Sequence, residues 1–449
     1  MNELFNFIRN SPYAVYIIVF EKAKGKNMKQ IIECGNAHLA IFNESNNWIM
    51  TDDVGEAKNF AADDEKKCSI ISFNPSTITL HITNMCNMNC KYCFAGAGTN
   101  NSSAMDMKII RKISKMINEL NINTICIDFH GGEPLIQKNL VMDIVHYFKE
   151  NVIGKKIVYY IQTNATLIDD GIAKFFKKYN FIVGVSLDGD IKTNDSFRVM
   201  ANGDGSWHKI LNGIEILRRW HVPFSCLAVV TTPSSMLYDY EFFVSRGIYN
   251  IQFMPVMPQG RAMEERICTE NWIDYANQEI KVFNKVLDDR NSGKPIIHSS
   301  SYTLLKKIML NRNDNICMKR PCGAGQDILV IDEHGDIYPC DSLMGTENIF
   351  FTRLGNLKEY EHFYDIANSK EYRKYISMVQ KNSLKCKDCF CKSICCGGCK
   401  SDVFNAYGRW DRETPLCEYY QYVIKQYFKV LYERRDDVIN YLKGRSVLK

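Results

Sequence analysis

A chain of 449 residues, 46% hydrophobic and 24% charged, has the length for two or three domains and the composition of a globular protein with a large core. A net charge of +5, with Lys residues scattered along helical stretches, is too mild to point to nucleic acid. No run approaches the roughly 20 apolar residues of a membrane span, so the expectation is a cytoplasmic protein with neither a membrane nor a nucleic-acid partner.

Residues 1–72 read as a small N-terminal α+β module. Apolar runs at Tyr13–Phe20, Lys29–Cys34 and His38–Phe42 read as short strands, being rich in β-branched and aromatic residues. Tyr13–Phe20 follows Arg9 but is short and lacks a small-residue cleavage site, so a strand is preferred to a signal peptide. Val54–Lys66 reads as a helix capped by Asp52 or Asp53, and Asp63–Lys67 as a linker that closes the module.

From Ser76 strands and helices alternate. Thr77–Thr83, Thr124–His130, Lys156–Gln162, Phe181–Leu187, Phe224–Thr231 and Tyr249–Met254 read as strands. Asp106–Leu120, Leu135–Lys149, Asp169–Lys178, Trp207–Trp220 and Ser235–Ser245 read as helices. In the first of these helices Ile109, Ile110, Ile113, Met116, Ile117 and Leu120 share one face. The alternation predicts a parallel sheet with outer helices over 73–270, a full or partial α/β barrel whose ligands gather at the carboxyl ends of the strands. Residues 271–316 read as connecting helices, and 317–420 as a cysteine-rich domain with a hairpin around Gly335. A C-terminal helix, about Pro415–Leu442, is expected to account for 421–449.

Eighteen cysteines in a reducing compartment point to metal or catalysis rather than disulfides. Cys86, Cys90 and Cys93 follow the first barrel strand at the spacing CxxxCxxC. Three thiolates from one loop can hold three irons of a [4Fe–4S] cube and leave the fourth open, the mark of chemistry rather than of a structural staple. A zinc site would pair CxxC with a second CxxC or with His residues, and no such partner is near.

With that triad the chain resembles the radical S-adenosylmethionine (SAM) enzymes. The resemblance implies a partial (β/α)6 barrel, SAM on the open iron, and a 5′-deoxyadenosyl radical that takes hydrogen from the substrate. It extends to the strand ends. Gly131, Gly132, Glu133 and Pro134 resemble the family's SAM-binding GGEP segment, and glycines there let backbone approach a ligand. Thr163 and Asn164 in QTNAT resemble its QTNGT. Ser186, Asp188 and Arg198 fall where similar enzymes contact SAM, and Arg offers a fork that fits a carboxylate. Tyr92 lies where the family often sets an aromatic residue against the adenine.

The second cysteine group resembles the SPASM domain of peptide- and protein-modifying radical SAM enzymes. That resemblance implies two auxiliary [4Fe–4S] clusters, and so three in all. Cys317, Cys322, Cys340 and Cys399 would hold one, and Cys386, Cys389, Cys395 and Cys417 the other. Cys391 and Cys396 are extra thiols in this stretch. Asp341, next to Cys340 in YPCD, matches the proposed catalytic base of anaerobic sulfatase-maturating enzymes. The expected partners are a peptide or protein substrate and a flavodoxin- or ferredoxin-type electron donor.

The leading functional expectation is thioether or other cross-linking of a ribosomally made peptide, with residues 1–72 as a leader-binding module. The alternative is oxidation of Cys or Ser to formylglycine. A reading of another class is a non-catalytic metal-binding scaffold or sensor, against which the ordered strand-end residues argue.

Overall fold

The computed structural model describes residues 29–34, 37–42, 47–61, 73–99, 103–310, 317, 319, 322–344 and 352–444. The strand expected at Tyr13–Phe20 and the linker Asp63–Lys67 lie outside them. Strands β1 (Lys29–Glu33), β2 (His38–Phe42) and β3 (Trp48–Thr51) form an antiparallel meander in that order. β3, only four residues long, was not foreseen from the sequence. A helix over Val54–Asn59 follows, and of the two candidate caps it is Asp53 whose side chain accepts from the Gly55 N–H. The backbone leaves helical geometry at Phe60, short of the expected Lys66. The module is docked on the rest of the chain. The Trp48 indole donates to the Ile308 carbonyl at 3.0 Å and meets the Phe428 ring edge-on, and the Gln30 amide reaches the Asp388 carbonyl.

The barrel strands are β4 (Thr77–Thr83), β5 (Thr124–Gly131), β6 (Lys156–Thr163), β7 (Ile182–Ser186), β8 (Phe224–Val230) and β9 (Asn250–Pro255). All five neighbouring pairs are parallel. Parallel strands buried on both faces usually read as continuous apolar runs. Here the two faces differ. Ile125, Ile127 and Phe129 of β5 have no exposure, whereas Cys126, Asp128 and His130 on its other face are only partly covered. In register with them on β4 stand Thr77, Thr79 and His81. The outer face is core, where each fully buried Ile or Phe contributes roughly 1.5–3 kcal/mol. The opposite, inner face carries polar side chains instead.

The helix Met107–Glu119, capped by Asp106, buries Ile110, Ile113, Met116 and Ile117 in the same core as the outward side chains of β4 and β5. The expected 271–316 helices are interrupted. Between helices Trp272–Asn291 and Ser299–Leu310, β10 (Ile297–His298) pairs in parallel with β9. The hairpin around Gly335 is present as β11 (Ile328–Ile331) and β12 (Asp336–Tyr338), followed by β13 (Gly355–Asn356). Gly335 has φ +82°, the left-handed conformation that glycine adopts without strain.

β11 pairs in parallel with β4, so the barrel and the cysteine-rich part share one sheet of ten strands among the described residues. A boundary at 317 therefore separates sequence, not sheet. The C-terminal helix is two, Cys417–Glu433 and Arg435–Lys443. Arg434 breaks it at φ −134°, with its guanidinium bonded to the Asn284 carbonyl, Asp288 and Asp437. Among the described residues no helix is long and apolar enough to cross a membrane.

Candidate active site

The cysteine loop leaves the carboxyl end of β4 and is clasped by the end of β5. The N–H groups of Gly132 and Glu133 donate to the carbonyls of Thr83 and Met85, at 2.9 and 2.8 Å. A Cβ on Gly131 would lie 2.4 Å from the Thr83 oxygen, and one on Gly132 would lie 2.0 Å from the Met85 oxygen. Only glycine permits this approach. From the other side Arg261 donates to the carbonyls of Cys90 and Ala97, at 2.9 and 2.8 Å. Sequence reasoning missed Arg261. Its only signal was a Gly-Arg pair just beyond the last barrel strand.

The loop's thiols fit an iron–sulfur cluster. Burial pushes Cys86 up to about 12, with Glu133, Cys90 and Cys93 beside it adding to the rise. Burial also raises Cys90, while Arg198, 3.8 Å from its sulfur, pulls the other way. Thiols this close together become good thiolate ligands once a cationic centre is among them.

Arg198 is held in place by a buried network. Its Nε donates to Asp188 Oδ1 at 3.2 Å, and its guanidinium lies 5.6 Å from the Tyr92 ring centre. The Tyr92 hydroxyl donates to Asp188 Oδ2, and the Val229 N–H donates to Oδ1 at 3.0 Å. Burial disfavours the Arg198 cation, but Tyr92, Asp188 and Cys90 outweigh it and hold its pKa above the usual value. Asp188 thus orients Arg198 through its carboxylate, and Tyr92 does so through its ring and through its hold on Asp188. The helix Ile191–Phe197, capped by Asp190, delivers it.

Glu133 is 1% exposed, and its carboxylate knots two strand ends together. Oε1 accepts from the Leu135 N–H at 3.0 Å and from Thr163 Oγ1 at 2.7 Å, and Oε2 accepts from the Asn164 N–H at 2.7 Å. Burial raises its pKa, and the Asn164 and Thr163 bonds oppose the rise. Pro134 opens the short turn that follows. Asn164 Nδ2 donates to Asn87 Oδ1 at 2.8 Å, tying the end of β6 to the cysteine loop. Ser186 Oγ accepts from Gln162 Nε2 at 2.8 Å. The expected SAM residues therefore gather at adjoining strand ends around the cysteine loop.

The downstream thiols fall into two groups. Burial holds Cys340 well above its ordinary value, with Cys399, Cys322 and Cys317 adding to it. Burial raises Cys386 to about 11, with Cys395, Cys389 and Cys417 nearby. Cys391 lies inside the second group, its sulfur 3.4 Å from that of Cys389. Cys396 neighbours Cys322 and accepts from the Lys307 ammonium at 3.1 Å. Every described cysteine is free. Among the described residues no three Cys, His, Asp or Glu side chains converge on a single-ion site. The ligands of a cube stand farther apart, since each serves its own iron.

Asp341 follows Cys340 and reaches His81 of β4, with Oδ1 2.8 Å from Nε2. Its side chain is 26% exposed. Burial would raise the carboxyl, but the His81 hydrogen bond and the nearness of His130 hold it below the usual carboxylate range.

The parallel barrel, the clasped cysteine loop and the strand-end set define a radical SAM site. A family model described as "Radical SAM superfamily" matches residues 80–233, and one described as "Iron-sulfur cluster-binding domain" (SPASM) matches 322–390. A cysteine-type anaerobic sulfatase-maturating enzyme of Clostridium novyi is 30% identical over 344 residues, 74% of this chain and 90% of that one. A serine-type anaerobic sulfatase-maturating enzyme of Klebsiella aerogenes is 28% identical over 340 residues, 72% of this chain and 78% of that one. The chain belongs to the radical SAM enzymes that carry a SPASM domain, close to the anaerobic sulfatase-maturating enzymes. Its cofactors are SAM and iron–sulfur clusters.

The solved structure "Native anSMEcpe with bound AdoMet and Cp18Cys peptide" has the same fold, with a TM-score of 0.68 and 23% identity over 82% of this chain and 99% of that one. Streptococcus suis SuiB bound to precursor peptide SuiA gives a TM-score of 0.56 and 18% identity, covering 78% and 77% of the two chains.

Proposed function

We propose that this enzyme oxidises a Cys or Ser residue of a polypeptide to formylglycine. The observation that carries the reading is Asp341, beside Cys340 and held by His81 on the inner face of the barrel. Both subtypes of sulfatase-maturating enzyme among its relatives support it. The reaction removes one Cβ hydrogen atom, the thiol or hydroxyl proton, and one electron. A Ser then yields the aldehyde directly, and a Cys yields a thioaldehyde that takes up water and releases hydrogen sulfide. When bound, SAM and the clusters supply the hydrogen-atom acceptor and the electron sink.

The chain's own residues prepare the site. Cys86, Cys90 and Cys93 hold the first cluster. Gly131, Gly132, Thr163, Asn164, Ser186 and Arg198 line the SAM site, braced by Glu133, Tyr92 and Asp188. Cys317, Cys322, Cys340 and Cys399 hold one auxiliary cluster, and Cys386, Cys389, Cys395 and Cys417 the other. Asp341 takes the substrate proton on Oδ2, since Oδ1 is engaged by His81. A flavodoxin- or ferredoxin-type protein donates the electron that starts each turnover.

Anaerobically reconstituted protein should hold about twelve irons in three cubes. With reductant and SAM it should convert a Cys or Ser peptide to its formylglycine form, read by mass spectrometry. Zinc in place of iron, or no 5′-deoxyadenosine, would return the chain to the scaffold reading.

A second reading, thioether or other cross-linking of a ribosomal peptide, draws on the small sheet. Its order leaves β1 and β3 as edges among the described residues, where a leader strand can add. Deletion of residues 1–72 tests it: unchanged precursor binding in a titration removes its basis.

A further inference from the structure

Two histidines that no sequence motif singles out meet inside the barrel. His81 and His130 are register partners on β4 and β5. Their rings stack, with centres 5.2 Å apart and planes 13° from parallel. His81 Nε2 lies 2.8 Å from Asp341 Oδ1. His130 Nδ1 accepts the Gly131 N–H at 2.9 Å. A backbone N–H can only donate, so that bond fixes the tautomer of the neutral ring and puts its proton on Nε2. Burial pushes the His130 pKa down to about 4, so the ring is neutral at physiological pH. His130 is partly exposed, and Phe94, from the cysteine loop, meets its ring edge-on at 6.2 Å. The two rings thus stand between the first cysteine loop and the carboxylate next to Cys340.

We propose that His81 is the positioning residue that aims Asp341 into the lumen, and that His130 presents its Nε2–H to the sulfur or oxygen of the target side chain. The inference rests on the formylglycine reading and names the groups that would hold the target heteroatom and its base in place. The stacking makes the pair a unit. Removing the His81 ring frees both the carboxylate and one face of His130. Removing the His130 donor leaves Asp341 held but the target heteroatom without a partner.

The test uses the reconstituted holoenzyme with a synthetic peptide carrying one Cys, its Ser counterpart and its Ala counterpart. His81→Phe keeps a ring and loses the hydrogen bond; His81→Gln restores a donor. His130→Phe and His130→Gln form the matching pair. Readouts are iron content, peptide affinity by fluorescence anisotropy, kcat and KM, and 5′-deoxyadenosine formed per formylglycine. For His81→Phe we expect kcat to fall about tenfold with KM nearly unchanged, 5′-deoxyadenosine to form in excess over product, and His81→Gln to recover most of the loss. For His130→Phe we expect affinity for the Cys and Ser peptides to fall about fivefold, the Ala peptide to bind as before, and His130→Gln to recover.

Wild-type kinetics and affinity in both Phe variants overturn the proposal. So do losses that follow iron content, or that the Gln variants do not recover. Failure of the wild-type enzyme to make formylglycine from either peptide overturns the underlying reading instead.

Discussion

Glu133 and Asn164 join the ends of two adjacent barrel strands, the carboxylate of one accepting the backbone N–H of the other at 2.7 Å. The same carboxylate receives Thr163 and Leu135, so three donors converge on a group that is 1% exposed. Glu133→Gln sets an amide N–H against one of those donors. The expected cost is about 1–3 kcal/mol of stability, seen as a lower urea midpoint, with weaker SAM binding by equilibrium dialysis. An unchanged midpoint would contradict the knot.

Gly132→Ala strikes the clasp more directly. Its new methyl would stand 2.0 Å from the Met85 oxygen and 2.6 Å from the carbon of that carbonyl, both backbone atoms that cannot swing away. The cysteine loop must shift. The expected result is a folded protein by circular dichroism that lacks the first cluster, so that iron falls by about four of about twelve atoms.

The two cysteine regions should separate on mutation. Cys90→Ala is expected to abolish 5′-deoxyadenosine formation by chromatography. Cys389→Ala should leave SAM cleavage intact while the modified peptide disappears from the mass spectrum. Loss of cleavage in both variants would mean that the auxiliary site is needed to build the first one.

His298 predicts how stability varies with pH. Its ring is buried, its Nδ1 pairs with Ser301 Oγ at 2.6 Å, and its Nε2 has no partner. Burial lowers its pKa from 6.5 to about 4. The unfolded chain therefore binds this proton first as pH falls. The stability tied to the neutral ring is complete above pH 6.5 and is lost progressively down to about pH 4. The loss is of order 3 kcal/mol over that window. Urea titrations at stepped pH should show the slope, and His298→Phe should reduce it, leaving the part that His130 contributes over the same window.

Much of this arrangement can be read along the chain. β4 takes the expected bounds because six of the seven residues in TITLHIT are β-branched or aliphatic, and the two glycines at the end of β5 announce a close approach. Of the residues expected at SAM, Gly131, Thr163 and Ser186 close strands and Gly132, Glu133 and Asn164 follow directly, whereas Arg198 closes a helix and rested on the family resemblance. What escaped lies across strands rather than along them. His81 and His130 are 49 positions apart, and only parallel register makes them neighbours. Arg261 acts on carbonyls more than 160 positions away, which no local pattern encodes. β10 is two residues long and exists only because β9 offers it an edge. Asp188 and Glu133 were expected at the cofactor, and their oxygens turn out to brace the residues around it.

The parallel pairing of β11 with β4 gives the enzyme no joint between its radical-forming half and its cluster-bearing half. Four residues of ladder, from Ile328 to Ile331, fasten one to the other. A clamshell motion that parted the two at this seam would have to tear those hydrogen bonds. The strand that leads into the first cysteine loop and the strand that leads toward Cys340 are thus rungs of one ladder, fixed to each other by backbone.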